Sequence, residues 1–165
     1  MSTAMMERKT PQSKTQDLET LMADTYLLYT KTQNFHWNVV DPRFHSLHTF
    51  FEEQYKELAE AIDVIAEQIR SQGHKAPGSM REFLQLSNLQ EASGNLPANT
   101  MLQTLLKDHE AIIQWLRPAI DHFAKIGDQA ASDLCIDRLR VHEKALWMIK
   151  SHFNPSEEGE KTGKR

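Results

Sequence analysis

"FHWNVVDPRFHSLHTFFEEQ", residues 35–54, sets three histidines (His36, His45 and His48), a tryptophan and two glutamates around one Asp-Pro turn. Histidines this close suggest a metal, yet the segment has no tight ligand pattern of its own. The apolar residues on either side decide the fold. Upstream, Leu18, Leu21, Met22, Thr25, Tyr29, Thr32 and Phe35 recur at helical spacing, which predicts a helix from about Asp17 to Val39. "VDP" breaks it, leaving Asp41 to cap a second helix with Pro42 in its first turn, where a missing N–H costs nothing. Downstream, Phe44, Leu47, Phe51, Tyr55, Leu58, Ile62, Ile65 and Ile69 form the second stripe, stopped at Gly73.

Beyond Gly73 the pattern pauses. Residues 74–97 make a connection too long for a simple helical hairpin, and within it Ser79 to Glu82 is a capping-box signature opening a short helix, "MREFLQLS". A third long helix starts near Pro97 and carries Leu102, Leu105, Leu106, Ile112, Leu116 and Phe123, with Pro118 expected to kink it. Gly127-Asp128 ends this helix and caps a fourth, marked by Leu134, Leu139, Leu146, Ile149 and Phe153. Nothing alternates as a strand would. Four helices with one long crossover between the second and third define an all-α, ferritin-like four-helix bundle over residues 17–153. Residues 1–16 and 154–165 read as mobile, solvated tails.

The totals agree with one domain. The chain has 165 residues, 39% hydrophobic and 25% charged, which suits a water-soluble globular protein with a real core. No apolar run approaches a membrane span, and the amino terminus lacks the apolar core of a signal peptide, so a cytoplasmic setting is expected. Cys135 is single and falls on a helical pattern, the position of a buried inert thiol. The net charge of −4 argues against a nucleic-acid binder working by bulk charge.

Metal ligands can be sought on this frame. Ordinary di-iron bundles carry Glu-x-x-His motifs that aim into the bundle centre, and this sequence contains none. The second helix offers two pairs instead: His48 with Glu52, and Asp63 with Glu67, each four residues apart and so on one face. Fifteen residues separate His48 from Asp63, about 22 Å along a helix, so the pairs cannot meet within one chain. Laid antiparallel against a copy of itself about a two-fold axis near Leu58, the helix brings each His-Glu end against the other copy's Asp-Glu end. That makes two equivalent sites per dimer. His36, just across the turn, is placed to reach the same spot. Such a ligand set suits iron, and also zinc or manganese. A solvated helix face with incidental acids is the competing reading.

The continuous segment "LYTKTQNFHWNVVDPRFHSLHTFFEEQYKELAEAIDVIAEQI", with "GDQAASDLCIDRLRVHEKALWMIKSHF" after it, closely resembles the Dps family, the DNA-binding proteins from starved cells and related mini-ferritins. The resemblance covers roughly residues 17–153. It implies a dodecameric hollow shell with a ferroxidase site at each two-fold interface. It also implies oxidation of Fe(II), preferentially by hydrogen peroxide, with ferric iron stored inside and DNA spared oxidative damage. His36 and His48 match the histidines of that site, and Asp63 and Glu67 match the acids supplied by the neighbouring subunit, which together hold iron at two positions or zinc in its place. Glu52 stands where the family usually has aspartate, Asp41 replaces a frequent turn glycine, and Gln68 replaces a frequent arginine. Trp37 has two readings, an auxiliary electron donor or an aromatic packed at the interface. Asp128, Asp133 and Asp137 fall where the family has acidic iron-admitting pores at its three-fold axes, and equally where an N-cap and an exposed helix face are expected.

Other histidines are set aside. His45 reads as surface or interface, and His109 and His142 as hydrogen-bonded packing residues on apolar stripes. DNA contact, where family members make it, uses a basic tail, for which Arg8, Lys9 and Lys14 are the candidates here, repeated around an otherwise acidic shell. Two alternatives to the iron-oxidising store stay open. One is a nucleoid-compacting shell protein with weak ferroxidase activity, and the other is a shell without metal chemistry.

Overall fold

The computed structural model describes residues 14–153, with side chains described from residue 18. Five helices follow in order: α1 (Lys14–Asn38), α2 (Phe44–Ser71), α3 (Met80–Leu86), α4 (Ala98–Lys125) and α5 (Gln129–Lys150). No strand occurs among the described residues. α1 packs chiefly on α2, α4 on α5, and the short α3 lies against α1 within the crossover. This is the all-α, ferritin-like bundle expected from the apolar periodicity. No helix among the described residues is long and apolar enough to cross a membrane.

The helix ends follow local chemistry. Gly73 and Gly127 adopt φ of 86° and 78°, a left-handed conformation that glycine enters without a Cβ penalty. At each, two hydrogen bonds close the preceding helix: Gly73 N to Arg70 O and His74 N to Ile69 O, then Gly127 N to Ala124 O and Asp128 N to Phe123 O. Asp128 caps α5, its carboxylate accepting from Ala131 N. The capping box of α3 is complete, with Ser79 and Glu82 bonded reciprocally. α4 runs unbroken through Pro118.

Three expectations need correction. α1 begins at Lys14, three residues before the anticipated start, so Lys14 belongs to the helix backbone; Arg8 and Lys9 lie outside the described residues, as does the Lys14 side chain. Asp41 does not cap α2. The residue before that helix is Arg43, without a side-chain cap, and Asp41 instead folds onto it, accepting from Arg43 N and Nε at 2.8 Å each. The Arg43 guanidinium and backbone hold the Asp41 carboxyl down to about 2, and Arg43 Nη2 reaches Asn99 Oδ1 at 2.9 Å, tying the turn to the start of α4. Third, the inward row of α5 is Ala131, Cys135, Arg138, His142, Ala145 and Ile149, whereas Leu134, Leu139 and Leu146 are only half-buried. Leucine marked the flank of the stripe because its centre contains polar residues.

The core joins Phe35, Phe51 and Phe123 with Leu18, Leu21, Leu28, Leu47, Leu58, Ile65, Leu102 and Leu116, all essentially inaccessible. The buried threonines and Asp24 are paired, as burial requires, whereas Gln72 Oε1 and Arg138 Nε are buried without a partner among the described residues. Thr25 and Thr32 donate back to Leu21 O and Leu28 O. Asp24 accepts from Ser87 Oγ and Asn88 N at 2.6 Å each, anchoring the crossover to α1; burial pushes its carboxyl up against the pull of these donors.

Candidate functional site

His36 lies in the last turn of α1 and His48 begins the second turn of α2, so the tight turn between the helices brings the two rings face to face. Their centroids are 3.8 Å apart and their planes differ by 16°. Each ring bonds the backbone of the other: His36 Nδ1 lies 2.8 Å from His48 O, and His48 Nδ1 lies 2.8 Å from His36 O. A carbonyl oxygen can only accept, so Nδ1 carries the proton in both rings. In the neutral imidazole the proton-free lone pair is then on Nε2, the tautomer a metal-binding histidine needs. Phe44 stacks on His48 at 5.1 Å, and Tyr55 meets His36 edge-on at 5.2 Å, so two further rings hold the pair in place.

Glu52 follows His48 by one turn. Its carboxyl is held below the ordinary range, first by the hydrogen bond from Lys56 and also by the nearby His36 and His48. Lys56 Nζ is 2.6 Å from Glu52 Oε1. The sequence reading missed this lysine, although Glu followed four residues later by Lys is the favourable orientation for a helical ion pair. Asp63 lies exposed on the same unbroken α2, about 22 Å beyond His48, with Glu67, also exposed, one turn further. The fold thus brings His36 and His48 together, with Glu52 one turn further along α2 and turned to Lys56, and leaves Asp63 and Glu67 at a distance. Among the described residues of one chain, no three His, Cys, Asp or Glu side chains gather to hold an ion. Trp37, beside His36, is 65% exposed, and His45 is exposed too.

The bundle interior, where di-iron bundles carry their ligands, is filled by the protein's own cations and neutral imidazoles. Lys31 of α1 pairs with Asp108 of α4 at 2.6 Å, and Arg138 of α5 makes two hydrogen bonds to Glu57 of α2. His109 and His142 are fully buried and bonded through their Nδ1 atoms at 2.9 Å, which agrees with their expected packing role. Arg138 Nη2 can only donate to His142 Nε2, so His142 carries its proton on Nδ1 and gives it to His109. Burial, reinforced by Arg138, pushes His109 down to about 3; burial, His109 and Arg138 push His142 well below its usual value.

Of the acids at the start of α5, Asp128 is already engaged. One carboxylate oxygen serves as the N-cap and the other accepts from Gln72 Nε2 at 2.8 Å. Asp133 and Asp137 are exposed one turn apart, bonded to Gln129 and Arg140 respectively.

The chain matches the family profile of the ferritin-like domain over residues 15–157. It is 43% identical over 132 residues to a low temperature-induced protein from Nostoc, covering 79% of this chain and 74% of that one. It is 38% identical over 133 residues to DNA protection during starvation protein 2 of Bacillus anthracis, covering 81% of this chain and 91% of the other. The crystal structure of Dps from Staphylococcus aureus superposes with a TM-score of 0.82 at 34% identity, covering 85% of this chain and 94% of that one. The bundle with its crossover helix, the paired histidines at the α1–α2 turn and these similarities together show that the chain belongs to the Dps family of ferritin-like proteins.

Proposed function

We propose that this chain is the subunit of a hollow, dodecameric mini-ferritin that oxidises Fe(II) at sites shared across two-fold axes and stores the ferric product inside. The observation that carries this reading is the reciprocal His36–His48 lock, which presents two Nε2 lone pairs side by side and commits both Nδ1 protons to the backbone. The acids that complete such a site, Asp63 and Glu67, come from a second copy packed antiparallel on α2. Neutral imidazoles suit Fe(II), and the carboxylates, with Glu52, stabilise the ferric product. Hydrogen peroxide is the preferred oxidant in this reading. Two Fe(II) each give one electron to one peroxide, whose O–O bond breaks to give two waters as it takes up two protons. Paired electron delivery releases no hydroxyl radical, and this is how the shell protects DNA, the role named in the Bacillus anthracis relative.

The test is anaerobic Fe(II) loading of the purified oligomer followed by stoichiometric peroxide, read by ferric absorbance beside a hydroxyl-radical trap. Rapid oxidation with little trapped radical supports the proposal. Oxidation no faster than that of free iron, or a rate unchanged by His36→Ala/His48→Ala, refutes the site. A chain lacking residues 1–13, which spares α1, separates oxidation from DNA binding through Arg8 and Lys9. Loss of DNA binding with intact oxidation would place the two activities in different parts of the molecule.

A further inference from the structure

Lys56 has no part in the oxidation described above, yet it is bonded to one of the acids of the proposed site. Along α2, His48, Glu52 and Lys56 follow at four-residue steps, each turned about 40° from the last, and Asp63 falls within the same arc. Lys56 is exposed and Glu52 half-exposed, so the 2.6 Å contact between them is not imposed by the core. With the two-fold axis passing between Glu57 and Leu58, Glu52 of one copy comes level with Asp63 of the other. Lys56 lies one turn, about 6 Å, nearer the axis. Its arm spans that turn, as the contact with Glu52 shows, so its ammonium sits at the level where the two carboxylates approach.

We propose that Lys56 is a built-in counter-ion, whose ammonium occupies the cation position between Glu52 and the second copy's Asp63 until a divalent metal displaces it. The inference rests on the two-fold reading of the site. Facing carboxylates brought to one spot repel, and a cation between them relieves that repulsion while the site is empty. A metal at the two histidines displaces nothing, because both Nε2 lone pairs are free. A metal nearer Glu52 must first break the Lys56 ion pair. The two positions therefore differ in affinity, and they fill in order from the histidine side.

Isothermal titration of the assembled, metal-free oligomer with Co(II) tests this without relying on oxidation. The wild type should show a tight and a weak class of site per subunit. Lys56→Gln should tighten the weak class roughly fivefold and leave the tight class unchanged. It should also lower the urea concentration at which the metal-free oligomer dissociates, and added Co(II) should restore it. Lys56→Arg, which keeps the charge, should behave as wild type. Identical titrations for wild type and Lys56→Gln overturn the proposal and leave a solvated surface pair. His36→Ala/His48→Ala separates the two ideas. Loss of the tight class there upholds the site whatever Lys56→Gln does, and retention of both classes overturns site and counter-ion together.

Discussion

His48 closes the end of α1. Its Nδ1 donates to His36 O, one of the last-turn carbonyls that the helix itself leaves without a donor, and His36 repays this at His48 O. One of these two bonds finishes a helix and together they choose the tautomer of both rings, so local stability and metal competence are coupled at one place.

Replacing His48 should therefore cost both. His48→Ala is expected to lower unfolding free energy by about 1 kcal/mol, the net worth of a lost hydrogen bond, and to abolish tight Co(II) binding. Phe44→Leu, which removes a stacking ring but no hydrogen bond, should leave metal stoichiometry at the wild-type value. Urea melts and metal titrations of the two variants, run side by side, check the coupling.

The buried His109–His142 pair makes the fold acid-sensitive. Both imidazoles have folded-state values below their unfolded ones, so below the ordinary histidine value near 6.5 the unfolded chain binds protons that the folded chain refuses. Their contribution is complete above that value and is lost progressively as the pH falls below it. Urea midpoints at pH 7 and pH 5 should thus fall further for the wild type than for His109→Gln/His142→Gln, which keeps polar groups in place but does not titrate. Equal falls in the two proteins would contradict the argument.

Gly94 lets the crossover lie directly on α1. A Cβ there would come within 2.6 Å of Asn34 Oδ1 and 2.9 Å of Asn38 Nδ2. Neither amide can withdraw freely, since Asn34 Nδ2 donates to Ala92 O at 3.1 Å and Asn38 Nδ2 donates to Asn34 Oδ1 at 2.7 Å. Gly94→Ala should destabilise the fold by about 1–2 kcal/mol through these bonds, whereas Gly78→Ala, which meets nothing within 4 Å, should change it little. Thermal or urea melts of both variants distinguish the close approach from a general cost of losing glycine.

Asp133 and Asp137 stand exposed on the first turns of α5, while Asp128 is held by its capping role. If the two exposed acids draw Fe(II) toward the shell interior, Asp133→Asn/Asp137→Asn should slow oxidation severalfold at low iron and low salt, with the effect shrinking as ionic strength rises. Co(II) affinity at the histidine site should not move. Asp128→Asn, which preserves an N-cap while replacing the oxygen that accepts from Gln72, should leave the rate near wild type.

The sequence by itself determined where the helices run. Their periodicity, the Gly73 and Gly127 stops and the Ser79–Glu82 box are local devices, set by steric and hydrogen-bonding needs within a few residues. It also determined that His48 and Asp63 cannot meet in one chain, because the rise per residue of a helix is fixed. Tertiary structure decided the rest. Asp41 turned from the predicted cap to Arg43 because that guanidinium returns to meet it while also reaching Asn99 on α4, a partner remote in sequence. The inward row of α5 proved polar because Arg138 and His142 find Glu57 and His109 across the bundle, and apolar periodicity carries no record of partners on other helices. The tautomers of His36 and His48 were decided the same way. Only the turn that superimposes the two rings places a carbonyl oxygen opposite each Nδ1, and that contact turns two nearby histidines into a pair of free lone pairs.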